Sequence, residues 1–198
     1  MGGHVSKFGL FTGLVKRAAK IVMVGLDGAG KTSILYQMKL HEVGHPDNLP
    51  NIGWSVERVT CQDMSFTVID LGGQEKIRFW WRHFFQEADA VILVVDSADK
   101  ERLDDSHDSE DNAKRELHRL IAEQEMKHSL LIYANKQDLV GKALDVTEIV
   151  ERLGLKRIRN PWHIQGCSAK TGKGLVEGLK WLEEQVTVVR KGQTPKPP

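Results

Sequence analysis

The chain has 198 residues, 40% of them hydrophobic and 28% charged, with a formal net charge of +1. One domain with a substantial core is the natural reading, and so balanced a charge gives no electrostatic footprint for nucleic acid. Two cysteines far apart, Cys61 and Cys167, exclude a disulfide scaffold and fit free thiols in a reducing, cytoplasmic compartment. The eight histidines lack metal-ligand spacing, and no apolar run reaches the length of a membrane span.

In chain order, residues 1–18 come first. Met1-Gly2-Gly3-His4-Val5-Ser6 fits the N-myristoylation pattern, with Gly2 as the acceptor. Phe8, Leu10, Phe11, Leu14 and Val15 then fall on one arc at helical spacing, with Lys16, Arg17 and Lys20 mostly off it. This reads as an interfacial amphipathic helix; the alternative is a surface helix packed on the domain.

A strand over 20–25 leads into Gly25-Leu26-Asp27-Gly28-Ala29-Gly30-Lys31-Thr32, and a helix over 31–40 continues through Ser33. The octapeptide matches G-x-x-x-x-G-K-[ST], the phosphate-binding loop, in the strand–loop–helix context it requires. Glycines turn backbone N–H groups onto phosphate oxygens, and the helix N-terminus adds positive partial charge. Lys31 is expected at the β- and γ-phosphates and the Thr32 hydroxyl on Mg²⁺.

Strands over 54–60 and 65–70, joined by a short polar turn, predict an antiparallel hairpin. The second runs into Asp70-Leu71-Gly72-Gly73-Gln74 and a helix over 74–86. Asp70 is placed to hold Mg²⁺ through water, the Gly73 N–H to meet a γ-phosphate, and Gln74 to orient an attacking water. Alone, D-x-x-G is a turn; the loop upstream gives it meaning. A strand over 90–96 precedes an acidic run, residues 99–111, expected to be a solvated charged loop, with a partner contact or a longer helix as alternatives.

A helix over 112–126 and a strand over 129–134 lead to Asn135-Lys136-Gln137-Asp138. The Asp138 carboxylate can accept from the N1–H and 2-amino group of guanine, a donor pair that adenine lacks, so an unpaired carboxylate would reject the wrong base. Asn135 is expected on the N7 edge or on neighbouring loops, and the Lys136 stem over the ring. After a helix over 145–153 and a strand over 162–166 comes Ser168-Ala169-Lys170, whose Ala169 N–H is expected on guanine O6. A helix over 174–188 follows, and residues 191–198 read as a disordered tail. Alternating strands and helices predict an α/β fold with phosphates at the carboxyl ends of the strands.

From Met1 to about Glu184 the chain resembles a small GTPase of the Arf and Arf-like family. The segments that carry the likeness are G-L-D-G-A-G-K-T-S-I-L-Y, P-N-I-G-W-S-V-E, F-T-V-I-D-L-G-G-Q-E-K-I-R, V-V-D-S-A-D-K-E-R and A-N-K-Q-D-L. The double glycine Gly72-Gly73 and Asp27 within the loop favour this branch over Ras, Rho or Rab. The resemblance implies a single P-loop GTPase domain over 19–190, a mostly parallel six-stranded sheet with one antiparallel edge hairpin and helices on both faces. It implies GTP and GDP with Mg²⁺ as cofactors, slow hydrolysis, an exchange factor, a GTPase-activating protein and effectors at the switch surface. A monomer, reversibly attached to Golgi or other endomembranes, is the expected form. The rivals are an ATP-dependent P-loop enzyme, against which Asp138 argues, and a GDP-biased scaffold.

Three departures from the family stand out. Asn51, in Pro50-Asn51-Ile52-Gly53, replaces the threonine that ligates Mg²⁺, and is expected to weaken the GTP-bound state. The effector-facing aromatic triad is Trp54, Ile69 and Phe84, with Ile69 in place of tryptophan. The acidic run over 99–111 is several residues longer than the family segment.

Overall fold

In a computed structural model of the chain, the structure describes residues 19–40, 56–61, 64–69, 85–106, 112–124 and 128–192. The elements alternate along them. Strand β1 (Ala19–Val24) feeds helix α1 (Lys31–Leu40), and β2 (Val56–Cys61) pairs with β3 (Met64–Ile69). Then come β4 (Ala90–Asp96), α2 (Ala113–Gln124), β5 (Ser129–Asn135), α3 (Val146–Leu153), a 3₁₀ turn at Leu155–Arg157, β6 (Trp162–Gly166) and α4 (Leu175–Arg190).

The six strands form one sheet in the order β2-β3-β1-β4-β5-β6. The pairs β1–β3, β1–β4, β4–β5 and β5–β6 are parallel. The edge pair β2–β3 is antiparallel, with Cys61 opposite Met64 and Val56 opposite Ile69. This is the hairpin expected between the second and third strands.

Burial on both faces accounts for the near-continuous apolar runs of β1, β4 and β5. Alternate residues serve opposite layers. Val22, Val24, Val91, Leu93, Leu130 and Ile132 pack with Leu117 and Leu120 of α2 and with Ile149 and Leu153 of α3. Ile21, Met23, Ile92, Val94, Leu131 and Tyr133 pack instead with Ile34 and Leu35 of α1 and with Leu182 and Val186 of α4. Helices therefore lie on both faces.

Local chemistry sets the helix ends. Asn112, expected inside a helix, caps α2: its Oδ1 accepts from the Arg115 N–H at 2.9 Å. Asp145, likewise read as helical, caps α3 by accepting from the Glu148 N–H at 2.9 Å, with Glu148 at the capping-box position. Gly154 ends α3 in a left-handed conformation, φ 70°. Gly174, read as the first residue of α4, has φ +81°, and a Cβ there would stand 2.2 Å from the Gly166 carbonyl oxygen, so the helix begins at Leu175.

At the opposite end of the sheet from the phosphate-binding loop, Asp89 joins three segments. Its Oδ2 accepts from the Lys20 N–H at 2.8 Å and from Arg190 Nη2 at 3.0 Å, which ties the end of α4 to the first strand.

Candidate nucleotide-binding site

Strand β1 has neighbours β3 and β4 on its two sides, so the chain diverges at its carboxyl end. In open α/β sheets that divergence opens a crevice for ligands. The loop Gly25–Gly30 fills it. The strand stops at Val24, one residue earlier than expected, because Gly25 has φ +154° and a Cβ there would meet the Val94 carbonyl oxygen at 2.3 Å. Gly28 (φ +72°) has nothing within 4 Å of a notional Cβ, so it faces the open mouth of the loop. Asp27, Thr32 and Ser33 are exposed, whereas Ala29 is buried.

The first turn of α1 bonds Ile34 N–H to the Gly30 carbonyl at 2.9 Å. The amide groups before it belong to the helix N-terminus, where anions are favoured. Lys31 is 5% exposed, and its Nζ donates to the carbonyls of Gly25 at 2.7 Å and Leu26 at 2.8 Å. The ammonium thus lies folded across the loop it is expected to serve.

Asn135, the last residue of β5, links the three motifs. Its Nδ2 donates to the Ala29 carbonyl at 2.8 Å, and its Oδ1 accepts from the Ala169 N–H at 2.9 Å. Of the two roles expected for Asn135, the structure places it on neighbouring loops. The Ala169 N–H, expected on guanine O6, is directed at Asn135. Gly30 permits this packing: at φ +101°, a Cβ there would stand 2.3 Å from Asn135 Nδ2.

Lys136 has a left-handed backbone, φ 69°, rare for a side chain other than glycine and typical of functional loops. Its Nζ pairs with Asp96 Oδ2 at 2.6 Å, so the amine is anchored to the end of β4. Asp138 Oδ1 accepts from Ser168 Oγ at 2.6 Å. That hydroxyl, more than any other neighbour, holds the Asp138 carboxyl below its ordinary range and favours the acceptor form that guanine requires. Ser168 Oγ also accepts from the Thr171 N–H at 3.2 Å, which fixes the turn, while Lys170 is exposed beside it. Cys167 is a free, buried thiol packed beside Asn135, and burial pushes its pKa up to about 12.

Several contacts here carry no local sequence signal. Gln137 Nε2 donates to Ser97 Oγ at 2.9 Å and to the Leu144 carbonyl at 3.0 Å, bracing the base-motif loop against its neighbours. The first part of the acidic run is not simply solvated. Asp99 and Asp27 share Arg102. Asp104, 9% exposed, pairs with Arg152 Nε at 2.8 Å, and Asp105 pairs with Arg115 Nε at 2.7 Å.

Gly2, Asn51, Trp54, Asp70, Gly73, Gln74 and Phe84 lie outside the described residues. Ile69 is the last residue of β3. Among the described residues no cluster of three or more His, Cys, Asp or Glu could hold a metal ion. Thr32, expected as a metal ligand, is exposed at the start of α1, where an oxygen-seeking cation could reach its hydroxyl. No described helix is long and apolar enough to cross a membrane.

A glycine-lined anion cradle at the divergence point of a parallel sheet, bridged to a carboxylate-bearing loop, defines a P-loop nucleotide-binding protein. A family model described as the ADP-ribosylation factor family matches residues 6–186. The chain belongs to that family, one of small GTP-binding proteins with GTPase activity.

Proposed function

We propose that the chain is a guanine-nucleotide switch that couples GDP and GTP states to reversible membrane attachment and effector recruitment in endomembrane traffic. The reaction is GTP + H₂O → GDP + phosphate. What supports the reading most is Asn135, which braces the phosphate loop and the base-reading loops against one another. Nucleotide recognition at one end is thereby tied to recognition at the other.

In this reading Lys31 and the loop amides from Asp27 to Ser33 bind the phosphates. Asp138 selects the base, with Lys136, Ser168, Ala169 and Lys170 shaping the pocket. Thr32, Asp70 and Asn51 would hold Mg²⁺, Asp70 through water and Asn51 with an amide oxygen where a hydroxyl is usual. When bound, the cation would supply charge neutralisation at the phosphates. Gly73 meets the γ-phosphate and Gln74 orients the water. Catalysis is positioning plus charge stabilisation, and because no arginine of the chain is assigned to the transition state, intrinsic hydrolysis is slow and an activating protein is required. An exchange factor releases GDP. Trp54, Ile69 and Phe84 form the effector surface.

Myristate on Gly2 supplies one weak membrane signal and the amphipathic segment over 1–18 the second. The test is flotation of the myristoylated chain with liposomes when loaded with GDP or with a non-hydrolysable GTP analogue. Flotation with the analogue alone, lost in Gly2→Ala, supports the switch. Flotation that ignores nucleotide contradicts it and favours a constitutive scaffold.

Asn51 motivates a second reading, a GDP-biased member whose switch rarely reaches the GTP state. Asn51→Thr then raises the GTP/GDP affinity ratio and its Mg²⁺ dependence. An unchanged ratio removes that reading.

A further inference from the structure

Asp27 places a carboxylate on the loop that is to embrace a polyphosphate, and that charge does not stand alone. Arg102 Nη1 donates to Asp27 Oδ1 at 2.7 Å, and Arg102 Nη2 to the Asp27 carbonyl at 3.4 Å. The same guanidinium donates from Nε to Asp99 Oδ2 at 2.8 Å. Arg102 is itself firmly seated. Its N–H donates to Asp99 Oδ1 at 3.1 Å, and its carbonyl accepts from the Ala113 N–H at the start of α2 at 2.9 Å. The next residue, Leu103, is buried in the core, and its carbonyl accepts from Lys114 N–H at 3.0 Å. One residue further, Asp104 is clamped by Arg152 of α3. A pair with the Asp27 carboxylate 68% exposed would ordinarily count for little, but this one has a preorganised fork on a fixed backbone.

We infer that Arg102 is a positioning residue for the nucleotide, drawing the Asp27 carboxylate toward the 99–106 segment and neutralising it so that the phosphate loop accepts a triphosphate. The inference rests on the guanine-nucleotide reading of this site. Without Arg102, Asp27 is an uncompensated anion on the loop. Its repulsion grows with ligand charge, so the triphosphate loses more affinity than the diphosphate. Arg102 thus sets the ratio between the two nucleotides through the Asp27 carboxylate that it holds.

The experiment measures dissociation constants for GDP and for a non-hydrolysable GTP analogue on the full chain, on Arg102→Gln and on Arg102→Gln/Asp27→Asn. The ratio within each protein is the readout, so a general loss of stability, which weakens both ligands together, does not move it. Arg102→Gln is expected to shift the analogue/GDP affinity ratio about fivefold toward GDP, as for one screened charge a few ångströms away. Adding Asp27→Asn restores the native ratio, because the carboxylate on the phosphate loop is gone and the net charge left by Asp99 alone equals that of the native trio. An unchanged ratio in Arg102→Gln, or a shift that Asp27→Asn fails to restore, overturns the inference. If the native chain binds neither nucleotide, the guanine-nucleotide reading fails, and the inference falls with it; that outcome is distinct from a native chain that binds both with a ratio blind to Arg102.

Discussion

Asn135 and Ala29 are 106 residues apart in the chain, yet Asn135 Nδ2 donates to the Ala29 carbonyl at 2.8 Å. The same side chain accepts from the Ala169 N–H at 2.9 Å. Asn135 is 1% exposed, so its partners are shielded from water. Removing it leaves a carbonyl and an amide without their bonds, at about 1–3 kcal/mol for each buried group. Asn135→Ala should lower the unfolding free energy in urea by about 2–4 kcal/mol and weaken nucleotide binding at least tenfold. Unaltered binding, with only stability lost, would contradict the bracing role.

Gly178 lies inside α4, where glycine costs about 1 kcal/mol relative to alanine. Propensity alone therefore predicts that Gly178→Ala stabilises the protein. The structure predicts the reverse. A Cβ at 178 would stand 2.6 Å from Tyr133 Cε1, and the ring cannot retreat easily because its hydroxyl donates to the Leu175 carbonyl at 2.7 Å and it is fully buried. Overpacking of this kind costs about 1–3 kcal/mol. Chemical denaturation should show Gly178→Ala destabilised by up to about 2 kcal/mol net; a gain in stability would mean that α4 shifts freely on β5.

The Arg152 guanidinium above all holds the Asp104 carboxyl well below the usual carboxylate range, with Ser106 assisting. The two side chains are 20% and 12% exposed. A depressed folded pKa contributes stability that is complete above the unfolded value near pH 4 and is lost as pH falls through the folded value. Asp104→Asn should therefore be about 2 kcal/mol less stable at pH 7, and the deficit should shrink steadily below about pH 4. A deficit constant from pH 7 to pH 3 would show that packing, not charge, accounts for it.

Much of this was legible in the sequence because the signals are local. The apolar runs of β1, β4 and β5 reflect burial on both faces, and the phosphate loop announces itself by glycines at fixed spacing. Among the described residues helix starts were legible to within one residue, since the caps Asn112, Asp145 and Gly174 were absorbed into the helices they delimit, whereas the helix over 74–86 lies mostly outside them. What escaped was long-range. Arg102 with Asp27, Lys136 with Asp96 and Arg152 with Asp104 are separated by 75, 40 and 48 residues, and no spacing rule connects them. The acidic run looked like a solvated loop because charge alone does not reveal that Asp99, Asp104 and Asp105 each face an arginine.

The central claim is that Asp138, oriented by the Ser168 hydroxyl, selects guanine for a phosphate loop braced by Asn135. The direct measurement is competition of GDP, a non-hydrolysable GTP analogue and ATP against a labelled guanine nucleotide, with and without Mg²⁺, on the native chain and on Asp138→Asn. Both guanine nucleotides should compete and ATP should not. Asp138→Asn should lose guanine-nucleotide affinity by about a hundredfold or more, the scale set by leaving a base's donors unpaired. Equal displacement by ATP, or native affinity in Asp138→Asn, would contradict the account.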